Sequence, residues 1–236
     1  MSFFFVYVIY FSYFCSRIYF YAKIKAMKLV FASNNAHKLD EVRAIMPAEV
    51  QILSLHDIGF EQEIEENGTT LEANSKIKAD TVYQWLRVTG YGLPVDGVFA
   101  DDTGLEIDAL NGQPGVYTAR WYRLNDGMSA AAPLNDEMMI FAANRAKALQ
   151  ELNGQTNRGA QFRTVITLIK VSGERLSVSG IVRGRIATEE YGQGGFGYDP
   201  VFIPEGYDKT FGELPAEIKN GISHRARALQ ALVQIL

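Results

Sequence analysis

The chain has 236 residues, 47% of them apolar and 21% charged, with a formal net charge of −4, a balance typical of an ordinary globular protein. Residues 1–26 contribute Arg17, Lys23 and Lys25 and no acid, so the remainder carries −7, which excludes binding nucleic acid by bulk electrostatics. The sole cysteine, Cys15, lies in that N-terminal stretch, which excludes a disulfide or thiolate metal site from Met27 onward and gives no sign of an oxidising compartment.

Phe3–Cys15 is an apolar and aromatic run broken by Ser12, too short to span a bilayer comfortably as a helix. Its positive charges follow the run, and bulky Tyr and Phe fill the place where a signal peptide needs small residues. The expectation is that Met27 is the functional start and that residues 1–26 are an extension outside the fold; a membrane anchor is the alternative. Lys28–Ala32 then reads as a buried strand, Ser33-Asn34-Asn35 as a polar turn, and Lys38–Met46 as a helix with Leu39, Val42, Ile45 and Met46 on one face. Val50–Leu55 is a second strand, and Asn67-Gly68-Thr69 introduces a long helix from about Thr70 to Arg87. Val98–Ala100 reads as a strand running into Asp101-Asp102-Thr103-Gly104, with Leu105–Ala109 continuing beyond. Asn135–Leu152 is a helix. Phe162–Val171 is apolar at alternating and intervening positions, as in a central strand buried on both sides. Arg175–Arg185 is its hairpin partner, the loop Gly192–Gly197 precedes a strand Val201–Ile203, and Ser223–Ile235 is the last helix. Early alternation of strand and helix followed by a hairpin predicts α/β with a mixed sheet, whose ligands gather where loops leave strand ends.

Five clusters fall at such places. Ser33, Asn34, Asn35, Ala36, His37 and Lys38 open a helix, where backbone N–H groups and a lysine suit an anion; the same residues also make an ordinary cap. Asp101 and Asp102 at a strand end suit Mg²⁺ and proton transfer from water, or a plain turn. Glu65 and Glu66 before the long helix offer a further hard oxygen ligand, or an exposed helix start. Phe196 and Tyr198 among glycines suit a flat ring held close to backbone. Lys219, His224 and Arg225 suit donors to a ligand, or surface capping.

Taken in order, these segments resemble the non-canonical purine nucleoside triphosphate pyrophosphatases, also called inosine/xanthosine triphosphate pyrophosphatases. The resemblance is carried by Ser-Asn-Asn-x-x-Lys at 33–38, Ala-Asp-Asp-Thr-Gly-Leu at 100–105, Gly-Gly-Phe-Gly-Tyr-Asp-Pro at 194–200 and Ser-His-Arg at 223–225. Glu72–Lys78, Pro114–Arg120 and Gly206–Glu213 also fit, whereas Tyr122–Asn135 matches nothing assignable. The resemblance implies one pyrophosphatase domain over 27–236, an elongated central mixed sheet flanked by helices, and two lobes with a substrate cleft between them. It further implies a homodimer and Mg²⁺-dependent cleavage of ITP, dITP and XTP to the monophosphate and pyrophosphate.

Carried over residue by residue, Asp102 is the proton acceptor and, with Glu66, the Mg²⁺ ligand, the choice between Glu65 and Glu66 staying open. Ser33, Asn34, Asn35, Ala36, His37, Lys38 and Lys78 line the phosphates, and Thr103 contacts substrate. Phe196, Gly197, Tyr198, Asp199, Lys219, His224 and Arg225 hold base and sugar. Donors near His224 and Arg225 would match the oxygen at carbon 6 of hypoxanthine and xanthine and oppose the amino group of adenine. A cytoplasmic location is expected, with no nucleic-acid partner and no membrane unless residues 1–26 are an anchor. A related hydrolase of other nucleotides, or a silent nucleotide sensor, are the alternatives.

Overall fold

The computed structural model describes residues 26–90, 94–124 and 136–236. Apart from Ala26, the N-terminal extension lies outside the described residues, as does 125–135 of the unassigned stretch. The chain runs β1 (Met27–Phe31), α1 (Ala36–Ile45), β2 (Val50–Leu53), α2 (Leu71–Thr89), β3 (Gly97–Ile107) and β4 (Pro114–Gly115). After a 3₁₀ segment, Thr118–Arg123, come α3 (Glu137–Glu151), β5 (Gly159–Lys170), β6 (Arg175–Ile186), β7 (Phe202–Pro204), α4 (Ala216–Ile222) and α5 (His224–Val233). None of the described helices is long and apolar enough to cross a membrane.

The sheet order is β2-β1-β3-β5-β6-β7, with β4 on β3. The first three strands are parallel and the rest antiparallel, so the sheet is mixed. Strand alternation sends neighbouring residues to opposite faces. Leu29, Phe31 and Phe99 pack with Val42 of α1 and Leu229 and Leu232 of α5. Val30, Ala32, Val98 and Ala100 pack on the other face with Ala79, Val82 and Leu86 of α2. Burial of both faces explains why β5 is apolar at consecutive positions from Val165 to Ile169 apart from Thr167. A third core gathers Leu105, Ile107, Phe162, Trp121, Leu152 and Phe202 at the far ends of β3, β5 and β6.

One expectation is corrected. Asp101-Asp102-Thr103-Gly104 is neither a strand end nor a turn but the middle of β3, paired through its length with β5 (Asp101 opposite Ile166, Asp102 opposite Val165). The strand that ends is its neighbour: β1 pairs with β3 only through Phe31 opposite Phe99, and β4 joins the same side only at Leu105. Between them, among the described residues, that edge of β3 from Ala100 to Gly104 has no strand beside it.

Candidate active site

That gap opens onto a cavity of about 380 Å³, within the range of small-molecule sites. Its wall includes Ser33, Asn34, Asn35, Lys38, Glu66, Lys78, Asp102, Thr103, Phe196, Gly197, Tyr198, Asp199, Lys219, His224 and Arg225, which meet from well-separated regions of the chain. Of the residues expected there, Ala36 and His37 do not line it. They are exposed in the first turn of α1, and the His37 ring instead stacks on Phe196 at 5.2 Å.

Because β1 stops at Phe31, the chain turns directly into α1, and Asn35 caps that helix by accepting from Lys38 N at 2.9 Å. The cap and the cavity wall are thus the same residue. Lys38 Nζ lies 3.0 Å from Asp101 Oδ1. On the opposite face of β3, Lys78 of α2 donates to Asp102 Oδ1 at 3.1 Å and to Glu66 Oε2 at 3.0 Å. Glu66, not Glu65, is therefore the acid brought to Asp102. Burial raises the Asp102 carboxyl above its ordinary value despite the opposing pull of Lys78 and Lys38. Burial would do the same to Asp101, but Lys38, Arg225 and Lys78 outweigh it and hold that carboxyl well below the ordinary range.

At the other end of the wall, Asp199 Oδ2 accepts from Phe196 N at 2.7 Å and from Lys219 Nζ at 2.5 Å, which fixes the backbone of the glycine loop. Gly197, with φ +62°, makes the reversal that sets Phe196 and Tyr198 on the wall. Lys219 Nζ lies 4.9 Å from the Phe196 ring centre. His224 and Arg225 are not surface capping residues: both are buried, and Ser223 caps α5 in their place by accepting from Ala226 N at 3.2 Å. Arg225 spends its donors on Asp101 Oδ2, Glu41 and Thr103. His224 stacks on Phe162 at 4.6 Å, and its Nδ1 is buried with no hydrogen-bond partner among the described residues. Burial, then Arg225 and Lys219, push its pKa well below the ordinary 6.5, so the ring is neutral.

Several wall or supporting residues carried no expectation. Glu41 accepts from both Lys219 Nζ (2.6 Å) and Arg225 Nη1. Its one legible sign is its place three residues after Lys38, on the same side of α1. Lys219 itself sits on α4, a helix the periodicity did not reveal. Phe141, Asn144 and Phe162 enter the wall from α3 and β5.

The donor set fits a Mg²⁺ ion. Asp102 Oδ2 is buried without a hydrogen-bond partner among the described residues, beside the Glu66 carboxylate that shares Lys78. No group of three or more His, Cys, Asp or Glu among the described residues is arranged to hold a metal. Two hard carboxylates that leave most of the octahedron to phosphate oxygens and water are the pattern Mg²⁺ takes on nucleotides.

The sequence profile described as the Ham1 family matches residues 29–235. A dITP/XTP pyrophosphatase of Flavobacterium johnsoniae is 46% identical over 210 residues, covering 89% of this chain and 98% of that protein. A protein of the same name from Porphyromonas gingivalis is 45% identical, covering 89% and 97%. Among solved structures, the Staphylococcus aureus Ham1 protein superposes with a TM-score of 0.70 at 35% identity, covering 88% of this chain and 97% of that one.

Proposed function

The chain belongs to the Ham1 family, and from that premise we propose that it hydrolyses the non-canonical purine nucleoside triphosphates dITP, ITP and XTP to the monophosphate and pyrophosphate. The observation that carries this reading is one cavity holding the Glu66–Lys78–Asp102 cluster and, in the same wall, the aromatic Phe196 and the neutral His224. The first suits a polyphosphate, the second a purine.

In this reading Asp102 accepts the proton of a water that attacks the α phosphorus. The bond from that phosphorus to the bridging oxygen breaks, and its electron pair leaves with pyrophosphate. Lys38 and Lys78, compact point charges, offset the negative charge gathered there. Glu66 and Asp102 would hold Mg²⁺, which when bound neutralises phosphate charge and lowers the pKa of water. In the same reading Phe196 offers a face to the purine, and His224, whose Nδ1 has no hydrogen-bond partner among the described residues, is the proposed partner of the base edge that distinguishes an oxo from an amino group. An unmatched buried polar group costs roughly 1–3 kcal/mol, enough for strong selection. We further propose a homodimer working in the cytoplasm, a reading the family resemblance supports; sedimentation equilibrium tests the dimer.

The test is a panel of triphosphates with Mg²⁺, pyrophosphate and orthophosphate being measured separately. Fast release of pyrophosphate from dITP and XTP, with ATP and GTP slow, is expected. Preference for ATP, or orthophosphate as the direct product, overturns the reading.

A further inference from the structure

The cavity wall holds five basic side chains, and four are already spoken for. Lys38 pairs with Asp101, Lys78 with Glu66 and Asp102, Lys219 with Glu41 and Asp199, and Arg225 with Asp101 and Glu41. Arg120 is the exception: among the described residues it has no carboxylate partner, and its guanidinium lies 5.4 Å from the Tyr117 ring centre. A polyanion must compete with a carboxylate for each of the other four cations. At Arg120 it meets no such competitor.

The backbone around Arg120 is held on every side. Thr118 Oγ1 accepts from Leu105 N at 2.8 Å and donates to the Gly115 carbonyl at 2.6 Å. That carbonyl passes 2.8 Å from where a Cβ on Gly104 would sit, so only glycine lets the segment lie this close to β3. Asn144 Nδ2 donates to the Ala119 carbonyl at 3.0 Å, and Trp121 is buried. The segment is thereby clamped against β3 just past Asp102 and Thr103, and it brings into the cavity wall an arginine without a carboxylate partner among the described residues.

We propose that Arg120 is a substrate-contacting residue that binds phosphate oxygens of the triphosphate and of the departing pyrophosphate. The assignment rests on the pyrophosphatase reading for its substrate, but the anion site is defined by the charge pattern alone. A planar guanidinium offers two parallel donors to two phosphate oxygens, a geometry lysine lacks. Because phosphates are common to every substrate, the contact is blind to the base.

The experiment compares the full-length wild type with Arg120→Gln and Arg120→Lys. Calorimetry with inorganic tripolyphosphate and Mg²⁺ reads the anion site, and kcat and KM for dITP and XTP read its use. Arg120→Gln is expected to weaken tripolyphosphate binding and to raise KM for both nucleotides alike, by about 10- to 100-fold. Arg120→Lys recovers part of each loss. Equal tripolyphosphate affinity in wild type and Arg120→Gln, including binding by neither, overturns the proposal. A loss confined to one nucleotide does so too, since it makes Arg120 a base contact, and so does a fall in Tm with ligand affinities unchanged. Wild-type protein that binds tripolyphosphate but hydrolyses neither nucleotide overturns the pyrophosphatase reading instead, and the tripolyphosphate comparison still decides Arg120.

Discussion

Asp101 and Asp102 are consecutive in β3, yet their carboxylates answer to partners on opposite faces of the sheet. Asp101 faces α1 and α5 and is bound by Lys38 and Arg225; Asp102 faces α2 and is bound by Lys78. Strand alternation alone imposes this division. On the proposed mechanism it separates a structural carboxylate, Asp101, from the proton acceptor, Asp102, within two residues.

Asp102→Asn is therefore expected to leave the fold in place and lower kcat on dITP by about 100- to 10,000-fold, the range of a lost general base. Asp101→Asn removes the shared partner of the buried Arg225 and the half-buried Lys38 and should cost about 3–5 kcal/mol of stability. Thermal melts and kcat on both variants check the division; the reverse pattern would exchange the roles.

Lys78→Ala should impair every triphosphate alike, by about 10- to 150-fold in kcat/KM, because its ammonium, held between Glu66 and Asp102, is proposed to meet the phosphates that all of them share. Kinetics on dITP, XTP and ATP, the last expected to be slow, test this. A defect seen with dITP only would place Lys78 at the base.

Glu41→Gln tests the carboxylate that ties Lys219 to Arg225. Burial pushes Glu41 up, but Arg225 and Lys219 outweigh it and hold the carboxyl below its ordinary 4.5. Its contribution to stability is complete above that pH and is lost as the pH falls through the depressed value. Denaturant titrations of wild type and Glu41→Gln should differ by about 3 kcal/mol near neutrality and converge in acid. A pH-independent difference would show that the carboxylate's charge is not what matters.

His224→Phe keeps a ring against Phe162 while removing both nitrogens. The ratio of kcat/KM for dITP over dATP should fall by about 5- to 150-fold, since the oxo group loses its partner and the amino group does not. Equal losses for both substrates would take His224 out of base selection.

The helices and strands with clean periodicity were legible in the sequence, β5 and β6 with their hairpin above all. The motif blocks named the cavity wall because each is a short contiguous run. Asp101–Gly104 misled because Asp and Gly prefer turns, and only the early end of β1 reveals why two acids sit inside a strand. The ion-pair frame was hidden for another reason: Glu41 meets Lys219 178 residues away, and Arg225 meets Asp101 at a separation of 124. No local pattern encodes such a pairing. The short helix α4 opens at Pro215 without a side-chain cap and has only seven residues, too few for a periodic stripe.

The most direct test of the central claim follows the oxygen of water. Wild-type enzyme is given dITP and Mg²⁺ in ¹⁸O-labelled water, and the products are separated and weighed by mass spectrometry. Attack at the α phosphorus predicts one labelled oxygen in the nucleoside monophosphate and none in the pyrophosphate. Label in the pyrophosphate, or in orthophosphate released directly from dITP, would contradict it.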